Sequence, residues 1–167
     1  YRSLRTRIKF SSVDKKLKTI VVTSPLQGEG KSTIAGNLAY TLSQDGARVL
    51  VVDCNLRNPS IHYNFSVSNE KGIIDVLVGD ADLKDVIKKI DNSLFLITVG
   101  TVPPNPSEIL GSNSMKELLN ELSNDFDFVI IDSSPILTET DTLLLTAIAD
   151  GTIVVVKARM TKEKVVK

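Results

Sequence analysis

The sequence contains very little of several residue types, and each shortage excludes a class of protein. Its single cysteine, Cys54, cannot form a disulfide within the chain, which fits a reducing cytosol. With His62 as the sole histidine, a zinc-type centre is not expected, and a surface or packing role is expected for that residue. No apolar run approaches the roughly 20 residues needed to cross a bilayer, and no signal peptide is expected.

Excess charge is also lacking. The 20 Lys and Arg residues balance the 20 Asp and Glu residues, giving a net charge of zero. No overall electrostatic field therefore draws the protein to nucleic acid, and we expect no nucleic-acid partner. With 167 residues, 42% of them hydrophobic, the chain is long enough for one domain with a sizeable core.

Apolar runs alternate with helical patterns along the chain. Rich in β-branched residues, the runs predict buried strands at 20–23, 49–52, 94–99, 128–131 and 152–156. Helices are predicted at 1–10, from Lys31 to the turn at Asp45-Gly46, and at 72–79, 82–90, 107–122 (with a break near Gly111) and 140–149. The alternation predicts an α/β fold: a mostly parallel sheet flanked by helices in a three-layer, P-loop NTPase-like architecture. Residues 1–167 then form one P-loop domain, in which 1–18 are an N-terminal helix and connector.

The first predicted strand runs into a glycine-containing loop that ends in Lys31 and Ser32. Glycine allows backbone N–H groups to approach phosphate oxygens, and the helix start adds further donors. Lys31 would reach the β- and γ-phosphates, and the Ser32 hydroxyl would bind Mg²⁺. One departure from the usual pattern is Pro25, which stands where the first glycine is expected. The predicted nucleotide-binding residues are Gln27, Gly28, Glu29, Gly30, Lys31, Ser32 and Thr33.

Two further apolar runs end in a carboxylate, one in Asp53 and the other in Asp132. In parallel sheets, ligands bind beyond the carboxyl ends of the strands, where the P-loop also leaves its strand. Carboxylates facing a phosphate-binding loop are what a Mg²⁺–nucleotide site requires. The sequence therefore predicts that ATP and Mg²⁺ bind at this edge.

Three segments carry a resemblance to a known family. They are residues 51–62 (VVDCNLRNPSIH), 100–110 (GTVPPNPSEIL) and 126–135 (FDFVIIDSSP), in addition to the P-loop at 24–33. Together with Arg2 and Arg5, they resemble the bacterial protein-tyrosine kinases of capsule and exopolysaccharide synthesis, over nearly all of the chain. Asp141 matches a further aspartate of that family.

The resemblance implies an ATP-dependent tyrosine kinase that autophosphorylates in trans and regulates capsule or exopolysaccharide synthesis. In this interpretation Lys31, Asp53 and Asp132 are catalytic: Asp53 is the base for the tyrosine hydroxyl or a Mg²⁺ ligand, and Asp132 orients the Mg²⁺ held by Ser32. It further implies a membrane-anchored activator of the polysaccharide chain-length type and a cognate tyrosine phosphatase. The kinase would be cytoplasmic and recruited to the inner face of the membrane.

The resemblance also implies ring-like self-assembly through the helix carrying Arg2 and Arg5; from charge alone, that helix either docks on a partner or is a solvated basic helix. The family's tyrosine-rich tail is missing from this chain, which indicates either a truncated C-terminal end or a tail carried elsewhere.

Of three accessory positions, two carry open alternatives. Asn55 replaces a usual aspartate, and either it weakens the hold on Mg²⁺ or its amide ties down the loop. Arg57 either steadies phosphate or tyrosine, or forms a structural ion pair. Asp141 is placed by the resemblance alone.

Two other functions remain open. One is a switch ATPase of the septum-positioning or plasmid-partition type, which the absence of an extra P-loop lysine in 25–27 disfavours. The other is a nucleotide-binding scaffold with weak catalysis, which Asn55 and the missing tail favour.

Overall fold

A computed structural model describes residues 1–10, 17–158 and 161. The chain forms a six-stranded sheet in the order β3-β4-β2-β5-β1-β6, in which every pairing is parallel except that of β3 with β4. The strands are β1 (Thr19–Thr23), β2 (Val49–Asp53), β3 (Lys88–Lys89), β4 (Leu94–Ile97), β5 (Phe128–Asp132) and β6 (Gly151–Val154). The mostly parallel sheet predicted from the sequence is confirmed.

The helices cover both faces of this sheet. They are α1 (Arg2–Phe10), α2 (Lys31–Ser43), α3 (Ile61–Asn64), α4 (Ile73–Leu77), α5 (Leu83–Val86), α6 (Pro106–Leu110), α7 (Asn113–Asp125) and α8 (Asp141–Ile148). Alternate strand residues divide between two cores: one face packs on α1 and α2, and the other on α4, α7 and α8. This is the three-layer architecture that the alternating pattern predicted.

The predicted helix at 82–90 is wrong in its second half. Helix α5 ends at Val86, and Lys88 and Lys89 form a short strand antiparallel to β4. The Lys88 ammonium donates hydrogen bonds to the Thr98 hydroxyl at 2.9 Å and to the Lys71 carbonyl at 3.0 Å. These tertiary bonds hold the segment extended, although its apolar residues also have helical spacing. The break predicted near Gly111 is confirmed, because α6 and α7 meet there.

The segment that follows β4 is fixed to the loop before α4. The N–H of Gly100 donates to Asn69 at 3.0 Å, and Asp75 accepts from the N–H of Gly72 at 2.7 Å. A Cβ on Gly100 would lie 1.9 Å from an oxygen of Asp75 and 2.4 Å from the Gly72 nitrogen. Gly100 also has a φ of +80°, so this crossing of two backbones requires glycine.

We predict that Gly100→Ala destabilises the protein far more than Gly46→Ala. Both glycines have positive φ, but nothing lies within 4 Å of a Cβ on Gly46. The Gly46 variant should therefore lose only about 1 kcal/mol from backbone strain, and the Gly100 variant about 3 kcal/mol or more. Urea unfolding measures both; equal losses would show that the close backbone approach costs nothing.

Candidate nucleotide-binding site

The loop between β1 and α2 has the backbone that phosphate binding requires. Gly28 has a φ of +81° and Gly30 a φ of +91°, a left-handed conformation that favours glycine. Gly30 precedes the first residue of α2, Lys31, and has no side chain to cap the helix. The N–H groups of the first turn are thus available to an anion, at the positive end of the helix dipole.

Glu29 holds this loop in shape from inside. Its side chain is turned back into the protein and accepts from the N–H of Leu26 at 2.8 Å, from the N–H of Lys157 at 3.5 Å, and from the Thr161 hydroxyl. Burial raises the pKa of Glu29, but these hydrogen bonds, together with the charge of Lys31, leave it lowered overall. The Glu29 side chain thus ties the loop to the segment after β6. The predicted contact of Glu29 with nucleotide is left to its backbone N–H.

Asp53 and Asp132 end two neighbouring strands and are direct partners in the register of β2 and β5. Both side chains are completely buried. One oxygen of Asp53 accepts from the Asn55 N–H at 3.0 Å. The other oxygen of Asp53 and both oxygens of Asp132 have no hydrogen-bond partner among the residues that the structure describes. Three buried carboxylate oxygens at this edge of the sheet therefore lack a hydrogen-bond partner among the described residues.

This burial changes the pKa of each carboxyl. Removal from water, followed by repulsion from Asp132, raises the pKa of Asp53 to about 8. Burial also raises the pKa of Asp132 to about 6, which the hydroxyl of Ser32 and the charge of Lys31 partly offset. Lys31 itself is only 6% exposed. The two carboxyls thus lie against the phosphate-binding loop, as the sequence predicted.

The donor set fits a magnesium ion. Mg²⁺ prefers hard oxygen ligands and needs few protein groups beside water and phosphate. Ser32 and Asp132 are close enough for the hydroxyl to affect the carboxyl pKa, and Asp53 adjoins Asp132. A divalent cation held here would neutralise the unpartnered carboxylate oxygens, so Ser32, Asp53 and Asp132 could hold it together.

Asn55 and Arg57 border a cavity of about 150 Å³ that Gln27 and Lys31 also line. The Asn55 side-chain oxygen accepts from the Ser134 hydroxyl at 3.1 Å, which links the loops after β2 and β5. Arg57 forms an ion pair with Glu139. Both contacts agree with the structural alternative for each residue. Neither contact removes its residue from the cavity beside the P-loop.

Asp141 anchors the proline-containing segment. Its side chain is 1% exposed and accepts a hydrogen bond from the Ser107 hydroxyl at the start of α6. The segment between Gly100 and Ser107 is therefore held at both ends. His62, which is buried beside the Tyr63 ring, has a packing role rather than a surface one.

The sequence did not single out two serines that the structure brings to the site. Ser134 bonds to Asn55, and the hydroxyl of Ser60 lies 3.3 Å from that of Ser32. Ser134 follows the strand-ending Asp132, and Ser60 lies in the same motif as the strand-ending Asp53. This shared position in a noted motif is the signal that could have identified them. Their contacts depend on the packing of distant segments.

Comparisons with known proteins agree with this geometry. A family model described as an AAA domain matches residues 17–164. The tyrosine-protein kinase YwqD of Bacillus subtilis is 40% identical over 165 residues, which cover 98% of this chain and 70% of that protein. The chain belongs to the bacterial tyrosine-protein kinases.

Two solved structures share the fold of this chain. The chimerical protein CapA2B2 superposes with a TM-score of 0.94 at 36% identity, covering 99% of this chain and 74% of that one. The septum site-determining protein MinD from Pyrococcus horikoshii, complexed with Mg-ADP, gives a TM-score of 0.70 at 25% identity, covering 83% of this chain and 57% of that one. Among the described residues, no helix of this kinase is long and apolar enough to cross a membrane.

We predict that the metal-free kinase loses stability as the pH rises from about 4 to about 8. The carboxyls of Asp53 and Asp132 titrate at about 8 and about 6 when folded, against an ordinary value of 3.8. The folded state therefore binds more protons than the unfolded state across this range, and deprotonation favours unfolding. The expected loss is on the order of a few kcal/mol, measured by urea unfolding in EDTA.

Asp53→Asn provides the comparison, because it removes the group with the higher pKa. It should flatten the pH profile and be more stable than the unaltered protein at pH 8. Asp80→Asn, at an exposed position outside the site, should leave the profile unchanged. If Asp53→Asn leaves the dependence of stability on pH unchanged, the raised pKa of the buried Asp53 carboxyl is contradicted.

Proposed function

We propose that this kinase transfers the γ-phosphate of ATP to tyrosine at the edge where the P-loop meets Asp53 and Asp132. The observation that carries the proposal is the pair of buried, adjacent carboxylates beside a phosphate-binding loop. Family membership supports tyrosine as the acceptor, and the Mg-ADP complex of MinD supports Mg²⁺–nucleotide binding by this fold. The acceptor tyrosine would belong to a second copy of the chain or to a partner.

Each residue has a distinct task in this proposal. The N–H groups of the loop and of the start of α2 bind phosphate oxygens, and Lys31 stabilises the charge that develops on the transferred group. Asp53 accepts the proton of the tyrosine hydroxyl, a task for which it has a carboxylate oxygen with no other partner among the described residues. Ser32 and Asp132 hold Mg²⁺, which, when bound, supplies positive charge to the phosphates.

We predict that Lys31→Met lowers phosphotransfer by about 100-fold or more and leaves the fold intact. A positioned charge on a transferring phosphoryl group contributes about 3 kcal/mol or more in the transition state. Because Lys31 is 6% exposed, methionine is chosen to keep the aliphatic packing of the side chain. The assay is phosphotyrosine formation on a tyrosine-rich peptide with ATP and Mg²⁺.

The same assay separates the alternatives. Lys18→Met, which removes a lysine that bonds the Ser123 carbonyl far from the P-loop, serves as the matched control. Normal phosphotransfer by Lys31→Met would exclude the assigned role. Phosphate release without peptide phosphorylation in the unaltered protein would indicate a switch ATPase, and neither activity would indicate a scaffold.

We further propose that the kinase regulates capsule or exopolysaccharide synthesis together with a membrane-anchored activator of the chain-length type. The polysaccharide role and the activator follow from the family that its motifs resemble. Autophosphorylation in trans, reversed by a cognate tyrosine phosphatase, would require copies of the chain to meet. Recruitment by the activator would place the cytoplasmic kinase at the inner face of the membrane.

Self-assembly is proposed to use helix α1. Arg2 and Arg5 line a recess of about 570 Å³ that Tyr40 of α2 and Gln44, just after α2, also border. Arg5 forms an ion pair with Asp45 at 3.1 Å, so one of the two arginines already has a partner within the chain. Arg2 is exposed, and it is the arginine better placed to reach a carboxylate of another copy.

We predict that reversing both charges, with Arg2→Glu and Arg5→Glu, shifts the oligomeric kinase to smaller species in size-exclusion chromatography with light scattering. The reversal would replace attraction by repulsion at the proposed contact. Asp45→Asn is the control, because it breaks the internal ion pair and keeps both arginines. An equal shift in that control, or no shift in the double variant, would leave α1 with a packing role only.

A further inference from the structure

Ser60 occupies a capping position but does not cap its helix. It precedes α3, where a serine hydroxyl usually accepts a hydrogen bond from an N–H of the first turn. Ser60 makes no such side-chain bond. Its hydroxyl instead contacts the hydroxyl of Ser32, with 3.3 Å between the two oxygens. A capping explanation therefore does not account for this side chain.

The contact falls on the hydroxyl that the site offers to a cation. A serine hydroxyl has one hydrogen to donate and two lone pairs that accept. Across the 3.3 Å contact the Ser60 hydroxyl is the donor and the Ser32 oxygen is the acceptor. One lone pair of Ser32 is then left for a cation.

We propose that Ser60 is a positioning residue for the magnesium site, acting through Ser32. By donating to the Ser32 oxygen, Ser60 fixes the rotation of that hydroxyl and directs its remaining lone pair at the cation. The inference rests on the proposed function, because it requires Ser32 to be a Mg²⁺ ligand. Partners that orient a ligand in this way commonly change metal affinity by about 10- to 100-fold.

The surroundings of Ser60 are suited to holding its hydroxyl still. The side chain of the next residue, Ile61, is completely buried in the core that α2 covers. The Ser60 hydroxyl lies 3.3 Å from that of Ser32 in the first turn of α2, so the start of α3 lies against the site. Ser60 is thus held between the core and the hydroxyl that would bind the cation.

The test measures how ADP affinity depends on Mg²⁺ concentration, by isothermal titration calorimetry. Ser60→Ala removes the donor, and we expect it to raise the Mg²⁺ concentration for half-maximal enhancement of ADP binding by about tenfold. Ser60→Thr keeps the hydroxyl and should restore the original Mg²⁺ dependence. The melting temperature of the metal-free Ser60→Ala protein should change little, because no capping bond is lost.

Ser112→Ala is the matched control. Ser112 precedes α7 and does cap its helix, accepting from the Met115 N–H at 3.2 Å. Its removal should lower the melting temperature and leave the Mg²⁺ dependence unchanged. The two serines thus separate a loss of helix capping from a loss of cation positioning.

The outcomes distinguish the inference from the function on which it rests. If the unaltered kinase binds ADP with no dependence on Mg²⁺, the proposed cation site fails, and this inference fails with it. If the unaltered kinase shows the dependence and Ser60→Ala gives a superimposable curve, only the inference is overturned. It is also overturned if Ser60→Thr behaves like Ser60→Ala, because the effect would then not come from the hydroxyl.

Discussion

Two buried carboxylates that lie side by side are the constraint on which this structure depends. Asp53 and Asp132 are register partners on adjacent strands, and both are completely buried. Burial makes both ionised forms costly, and repulsion from Asp132 adds to the cost for Asp53; the pKa is raised to about 8 for Asp53 and to about 6 for Asp132. Such a pair persists when a bound cation, or a proton, offsets the cost.

The rest of the fold places the compensating groups around this pair. Parallel pairing brings the ends of β1, β2 and β5 to one edge, so the P-loop meets both carboxylates there. Inside the loop, Glu29 fixes the backbone by accepting from Leu26 and from the segment after β6. The bond from Ser134 to Asn55 joins the two loops that follow the aspartates. These bonds within the protein hold the site in shape, which lowers the cost of ordering it around a ligand.

The sequence predicted those parts of the structure that depend on local chemistry. Apolar runs identified the parallel strands, and the spacing of Gly28, Gly30 and Lys31 identified the loop, because backbone conformation and burial are encoded by neighbouring residues. The prediction that a helix continues to residue 90 was wrong because Lys88 is held by Thr98 and Lys71. These residues are distant in sequence and come close to Lys88 only in the folded chain.

Contacts between loops could not be predicted for the same reason. Arg57 gave no sign of its partner Glu139, and the Ser60 hydroxyl gave no sign of Ser32. Each pair joins segments far apart in sequence, so its geometry depends on the register of the whole sheet. From the sequence, Arg57 could pair with any acidic side chain, and Ser60 could bond to any hydrogen-bonding group. The partner of each therefore stayed undetermined.

The most direct test of this account is the position of the metal in crystals grown with ADP and Mn²⁺ in place of Mg²⁺. Anomalous scattering locates Mn²⁺ without assumptions about the surrounding density. We expect one strong peak that contacts Ser32 and lies against Asp132 and Asp53, directly or through water, where carboxylate oxygens have no other partner among the described residues. A nucleotide-bound crystal whose Mn²⁺ peak lies elsewhere would contradict a cation site at these two carboxylates.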